Sequence, residues 1–70
     1  MPIKTGDKFI LHSSDGLNYT IVIVNVNTFR PPDMTYACDV FNEKGLMCNQ
    51  DLLFIGDDFF SINKDKLEKL

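Results

Sequence analysis

The 70-residue sequence predicts a mainly β domain, and three observations support this prediction. Gly, Pro, Asn and Asp recur at short intervals, which is typical of many short strands joined by turns. The segment 19–27 is rich in β-branched residues, which strands favour. Six Phe and two Tyr supply the large side chains that so small a core requires.

The turn signals divide the chain into candidate strands. Asp15-Gly16, Pro31-Pro32-Asp33, Asn42–Gly45 and Gly56-Asp57-Asp58 are turn sequences, because Gly, Pro and Asx residues provide the backbone angles that turns need. The segments between them predict strands at 8–12, 19–27, 35–41, 46–49, 52–55 and 59–62.

The end of the chain changes to helical spacing. Asn63 is suited to a helix N-cap, with Ile62 and Leu67 spaced as a hydrophobic staple around it. Leu67 and Leu70 then share a face at i, i+3. We expect one or two helical turns over 64–70 that lay two leucines over an open end or edge of the sheet.

The second strand is apolar on both faces, which a flat sheet with one wet face would not be. Strict alternation separates its apolar side chains into two rows, Tyr19, Ile21 and Ile23 on one side and Val22, Val24 and Val26 on the other. Either the strand bends and serves both halves of a small barrel, or a partner or the C-terminal helix covers one face. We favour the barrel.

This order of elements resembles that of small SH3-like barrels. The Gly-Asp entry at Gly6, the long second strand, the tight hairpin at Asn42–Gly45 and the helical turn near the end carry the resemblance. It implies a single domain, 1–70, with five to six short antiparallel strands and a short C-terminal helix. The sequence lacks a proline-binding aromatic pattern and a KOW or Tudor signature, so the resemblance assigns no functional residue.

The charge balance argues against a general nucleic-acid grip. The net charge is −3 and the pI about 4.7, and the lysines are scattered rather than clustered. A small nucleic-acid-binding barrel stays an alternative because Tyr19, Tyr36 and Phe41 are candidates for a base-stacking platform.

The sequence predicts neither an enzyme nor a cofactor site. His12 is the single histidine, and its neighbours Ser13 and Asp15 are too close along the chain to converge with it as a catalytic triad. If Phe41 opposes Leu46 in the hairpin, Cys38 and Cys48 face opposite sides, which predicts free thiols rather than a disulfide or a metal site.

Localisation is predicted from what the sequence lacks. The first residues have no apolar leader, and the run Ile21-Val22-Ile23-Val24 is too short to cross a bilayer, so we expect a cytoplasmic protein without a membrane partner. The abundance of Asn, Ile, Lys and Asp with a single Arg is typical of AT-rich coding and compatible with a phage of a low-GC bacterium.

The segment TFRPPDM, residues 28–34, contains that single arginine and predicts a protein-binding surface. Arg, aromatic residues and Met are enriched at protein interfaces, and two prolines pre-order the loop. We therefore expect Phe29, Arg30 and Met34 to bind an unidentified protein partner. In the structural alternative, Phe29 and Met34 plug one end of the barrel while Arg30 pairs with a nearby carboxylate such as Asp33.

Together these observations favour a non-enzymatic protein-interaction module, encoded by a phage or mobile element, that modulates a host protein. A self-assembling structural subunit is a further alternative, because an apolar strand or a free sheet edge favours association. The sequence leaves monomer and homodimer open.

Overall fold

A computed structural model describes residues 3–70 of the chain, and Met1 and Pro2, part of the predicted domain, lie outside the described residues. Five antiparallel strands form one sheet in the order β4-β3-β2-β1-β5. The strands are β1 (Lys8–His12), β2 (Asn18–Val26), β3 (Tyr36–Phe41), β4 (Leu53–Ile55) and β5 (Leu67–Lys69). One helix, α1 (Asp57–Ile62), and 3-10 turns at Pro32–Met34 and Lys64–Lys66 are the other elements of residues 3–70. The predicted mainly β class is confirmed.

The first four strands lie where the sequence predicts them, to within one residue at each end. The predicted strand at 46–49 is reduced to a single bridge between Phe41 and Met47. The turn before it forms as predicted, with a hydrogen bond from Gly45 N to Asn42 O and a positive φ of 81° at Gly45.

A bulge bends β2 in its second half. Ile23 pairs with Cys38 and Asn25 with Ala37, so Val24 is the surplus residue. Beyond it, Val26 packs against the buried core instead of sharing the outer face with Val22. The strict two-row alternation predicted for this strand is therefore wrong at Val26, because the surplus residue shifts the phase.

The core lies between one face of the sheet and α1. Phe9, Ile21, Ile23, Tyr36 and Cys38 form the buried cluster. The ring of Phe60 on α1 packs 5.1 Å from the ring of Phe9 and 5.5 Å from that of Tyr36, so the helix bridges two strands. On the opposite face of β2, Val22 and Val24 are half-buried rather than bare.

The arrangement is compatible with a small barrel-like fold, but the hydrogen-bonded ladder is not closed. Within residues 3–70, the strand pairings leave β4 and β5 as the two edges and do not join them.

The helix is present but begins at Asp57 rather than Lys64, which corrects two predictions. Residues 59–62, predicted as a strand, are helical because Asp57 and Asp58 occupy the first turn, where carboxylates are stabilised. Asn63 ends this helix instead of beginning the next one, since its main-chain N and Nδ2 both donate to Phe59 O.

The predicted helix at 64–70 is replaced by the second 3-10 turn and β5. Leu67, Glu68 and Lys69 pair with Leu11, Ile10 and Phe9, respectively. The free edge of β1 offers these residues a ladder, and that tertiary pairing overrides the local helical spacing.

Candidate functional site

The single arginine fastens the loop between β2 and β3. Arg30 Nε donates to Met34 O at 2.8 Å, and Nη2 donates to Thr35 O at 2.9 Å and to Asn25 Oδ1 at 3.1 Å. A planar guanidinium satisfies acceptors on both sides of the loop at once, which a lysine ammonium on a flexible stem does not. Its partners are two carbonyls and an amide, so the alternative in which it pairs with a carboxylate such as Asp33 is wrong.

The same guanidinium attaches the loop to the sheet. Arg30 Cζ lies 5.1 Å from the centroid of the Phe54 ring on β4, a cation–π distance. Asn25 and Phe54 flank Ala37 in neighbouring strands, so the arginine side chain spans three strands from β2 to β4. The guanidinium of Arg30 is thus engaged in contacts within the chain.

Phe29, its neighbour, points the other way. Its side chain is 98% exposed, so the alternative in which Phe29 plugs one end of the barrel is wrong. Its main-chain N donates to Asn27 Oδ1 at 2.9 Å, which fixes the backbone at this point. Met34 is 36% exposed, at the end of the 3-10 turn. The structure therefore places the three predicted residues in one loop, with Arg30 as its anchor and Phe29 as its exposed tip.

A second contact holds the loop from below. Gly56, between β4 and α1, is buried, and a Cβ built on it would lie 2.1 Å from Pro32 O and 2.6 Å from Asp33 Cα. The 3-10 turn therefore rests directly on the backbone of Gly56. This contact also brings Asp33 close to Gly56, the residue that precedes Asp57 and Asp58.

Asp57 is joined to the core by a short hydrogen bond. Tyr36 Oη donates to Asp57 Oδ1 at 2.6 Å. This bond, together with burial and the carboxylate charge, raises the pKa of Tyr36 to about 12.

The aromatic residues of the predicted base-stacking platform lie on different faces of the sheet. Tyr36 is on the core face, whereas Phe41 pairs with Thr20 on the outer face. The predicted stacking platform of Tyr19, Tyr36 and Phe41 therefore does not form.

Next to the loop lies an apolar edge that sequence reasoning missed. Leu52, Leu53 and Phe54 are 46%, 45% and 39% exposed at edge strand β4. The available signal was the unbroken apolar run 52–55 between Asp51 and Asp57, which lacks the alternation of a strand with one wet face.

The candidate histidine has structural partners. His12 ends β1 with Nδ1 2.9 Å from Asn18 Oδ1 and Nε2 3.4 Å from Glu68 Oε2. Cys38 and Cys48 are free thiols, as predicted. The register from which we predicted that they face opposite sides is wrong, because Phe41 pairs with Met47 rather than with Leu46. Burial together with the nearby Asp39 raises the pKa of Cys38 to about 11. Among residues 3–70, no three His, Cys, Asp or Glu side chains are grouped so that they could hold a metal ion.

Open cavities lie on both faces of the sheet. One, of about 630 Å³, lies under α1 and exposes parts of Phe9, Tyr36 and Phe60. Another, of about 710 Å³, lies on the outer face over Ile10, Val22 and Phe41.

Among residues 3–70, no helix is long and apolar enough to cross a membrane.

Comparison with models of known protein families, with curated proteins and with solved structures finds no match to this chain.

Proposed function

We propose that the chain is a non-enzymatic protein-interaction module and that Phe29 is its central contact residue. The observation that carries this proposal is an aromatic side chain, 98% exposed, on a loop held from two sides. A Phe that moves from water into a partner's pocket contributes roughly 1.5–3 kcal/mol. Contacts of this kind dominate the binding energy of many interfaces.

The rigidity of the loop supports the same proposal. Arg30 binds the main chain at Met34 and Thr35, and the turn before them rests on Gly56. A loop ordered before binding loses less conformational entropy when a partner docks. Arg30 thus acts as a positioning residue, while Phe29 and Met34 make the contact.

We also propose, on the composition of the sequence, that the protein acts in the cytoplasm as a phage- or mobile-element-encoded modulator of a host protein. Sequencing of the genes on either side tests this part, and flanking housekeeping genes on a chromosome contradict it.

Photo-crosslinking tests the contact residue. Benzoylphenylalanine replaces Phe29 in one preparation and Ile62, 80% exposed at the end of α1, in a control preparation. After irradiation in a bacterial lysate, we expect a protein adduct from position 29 that is absent from position 62. Excess unmodified chain should suppress the adduct, whereas excess Phe29→Ala chain should not.

The alternatives give different products. An adduct that nuclease removes supports the nucleic-acid-binding barrel, and an adduct of twice the chain's mass supports the self-assembling subunit. Equal adducts from both positions, or suppression by the Phe29→Ala chain, would contradict the proposal.

A further inference from the structure

The two edges of the sheet differ in how they are protected. At β5, Glu68 and Lys69 place charges on the edge, with Glu68 3.4 Å from His12 and Lys69 Nζ 3.7 Å from Asp7 Oδ2. Charged side chains of this kind discourage the addition of another strand. The other edge, β4, is Leu53-Phe54-Ile55 and carries no charged residue, proline or bulge.

The main chain of β4 is available on one side. Within residues 3–70, its backbone hydrogen bonds run only along the ladder with β3. The apolar side chains stand on both faces of this edge, since Leu53 is opposite Cys38 of the core and Phe54 is opposite Ala37 under Arg30. An incoming strand would therefore find main-chain partners and apolar contacts together.

The residues around β4 define the charge of such a strand. Asp51 precedes the apolar run, Asp57 and Asp58 follow it, and the contact between Gly56 and the 3-10 turn adds Asp33 at the same end. Arg30, a cation close to this edge, is already bound to carbonyls and to the ring of Phe54. Acidic groups thus lie at both ends of an apolar edge.

We propose that β4 binds an extended segment of the partner protein by strand addition, and that this segment is apolar in its centre with Lys or Arg at both ends. The inference rests on the proposed protein-interaction function and specifies the chemistry of the partner. Main-chain hydrogen bonds provide affinity in this mode, and side chains with flanking charges provide selectivity.

A second copy of the chain fits this edge less well. In antiparallel self-pairing centred on Phe54, Asp51, which precedes β4 in one copy, comes close to Asp57, the first residue of α1, in the other, and the same approach recurs at the other end. Like charges brought together in this way destabilise a strand pair. The acidic ends therefore favour a basic partner over a homodimer.

Peptide titration followed by NMR tests the inference on the full chain. The probe is the peptide Lys-Arg-Val-Ile-Val-Thr-Arg-Lys, with two controls: the same peptide N-methylated at alternate central residues, and a version with Glu at all four basic positions. We expect amide shifts at residues 51–56 and slower amide exchange in β4 with the basic probe only. N-methylation should abolish these effects, because it removes the donors of the added ladder.

Charge reversal gives a second test. The double variant Asp51→Lys with Asp58→Lys should weaken the basic probe by about tenfold at low salt and allow the Glu-flanked peptide to bind. A matched variant, Glu43→Lys with Asp65→Lys, makes the same charge change at exposed turns away from β4 and should leave probe binding within about twofold. If the double variant does not fold, the N-methylated peptide on the unmodified chain decides the question.

The inference is overturned if the N-methylated probe binds equally well, if the shifts map to another surface, or if neither peptide binds. It is also overturned if the β4 amides shift with protein concentration alone, which would show a second copy on this edge. Failure here together with a specific Phe29 adduct would leave the interaction function intact, whereas loss of the adduct would contradict that function whatever the peptides do.

Discussion

At the scale of single residues, Phe29 and Arg30 are neighbours with opposite roles. Composition selected this segment, because the chain's one arginine stands between an aromatic residue and two prolines. Composition did not indicate whether the Phe29 or the Arg30 side chain packs against the rest of the fold. That depends on two carbonyls of the loop's far end and on the Phe54 ring, whose positions are fixed only by the folded sheet.

Arg30→Ala should lower the free energy of unfolding by about 1–2 kcal/mol, because three hydrogen bonds to a charged donor are lost at a partly exposed site. Arg30→Lys should recover less than half of that loss, since the ammonium lacks the planar fork. Phe29→Ala, the matched control, should stay within about 0.5 kcal/mol of the unmodified chain. Urea unfolding measures all three, and a Phe29→Ala loss equal to that of Arg30→Ala would show that Phe29 is buried.

Tyr36 predicts a loss of stability at alkaline pH. Its pKa is raised from 10.0 to about 12 in the folded chain, so the unfolded chain releases the phenol proton first. The contribution of this group is fully present below pH 10 and is lost as the pH rises toward about 12. Urea unfolding over this interval should show the decline, and Tyr36→Phe should reduce it. A slope unchanged in Tyr36→Phe would assign the decline to other groups.

At the scale of elements, the sequence located strands better than it located the helix. Strands β1 to β4 are bounded by turn residues close in sequence, and these signals act locally. The conformation of residues 64–70 depends instead on the free edge of β1, which is more than fifty residues away in sequence. Local spacing of Leu67 and Leu70 is compatible with a helix, and only the tertiary partner decides.

The two leucines of the tail distinguish the observed strand from the predicted helix. In β5, Leu67 packs against the core cluster, whereas Leu70 is largely exposed beyond the strand. Leu67→Ala should therefore destabilise the chain by about 1–3 kcal/mol, and Leu70→Ala by less than about 0.5 kcal/mol. Thermal unfolding with calorimetry measures the difference. Equal losses would indicate the shared helical face that the spacing predicts.

The joint between β4 and α1 should be sensitive to one methyl group. Gly56→Ala places a Cβ against the backbone of Pro32 and Asp33, and neither backbone moves without shifting the 3-10 turn. We expect a loss of about 1–3 kcal/mol and NMR shifts that spread into the Phe29–Met34 loop. Ser61→Ala, at an exposed position of α1, is the matched control. An unshifted loop in Gly56→Ala would show that the turn does not rest on this glycine.

At the scale of the whole molecule, the fold class was predictable and the closure of the sheet was not. Strand composition and turn spacing are local properties, so they indicated an antiparallel β domain. Whether the two edge strands, β4 and β5, meet depends on curvature, to which the bulge at Val24 and the packing of helix α1 both contribute. For the same reason, the free edge at β4 and its acidic ends became visible only in three dimensions.

The surplus residue in β2 also marks a place where the chain tolerates a change of length. Removing Val24 would leave Ile23, Asn25 and Val26 facing the sides that they already face, and the ribbon would only straighten. Removing Val22 instead would move the side chains on one side of the deletion to the opposite face of the sheet, so that core residues would face solvent. Two single-codon deletions, two positions apart, should therefore differ sharply in whether a folded protein results.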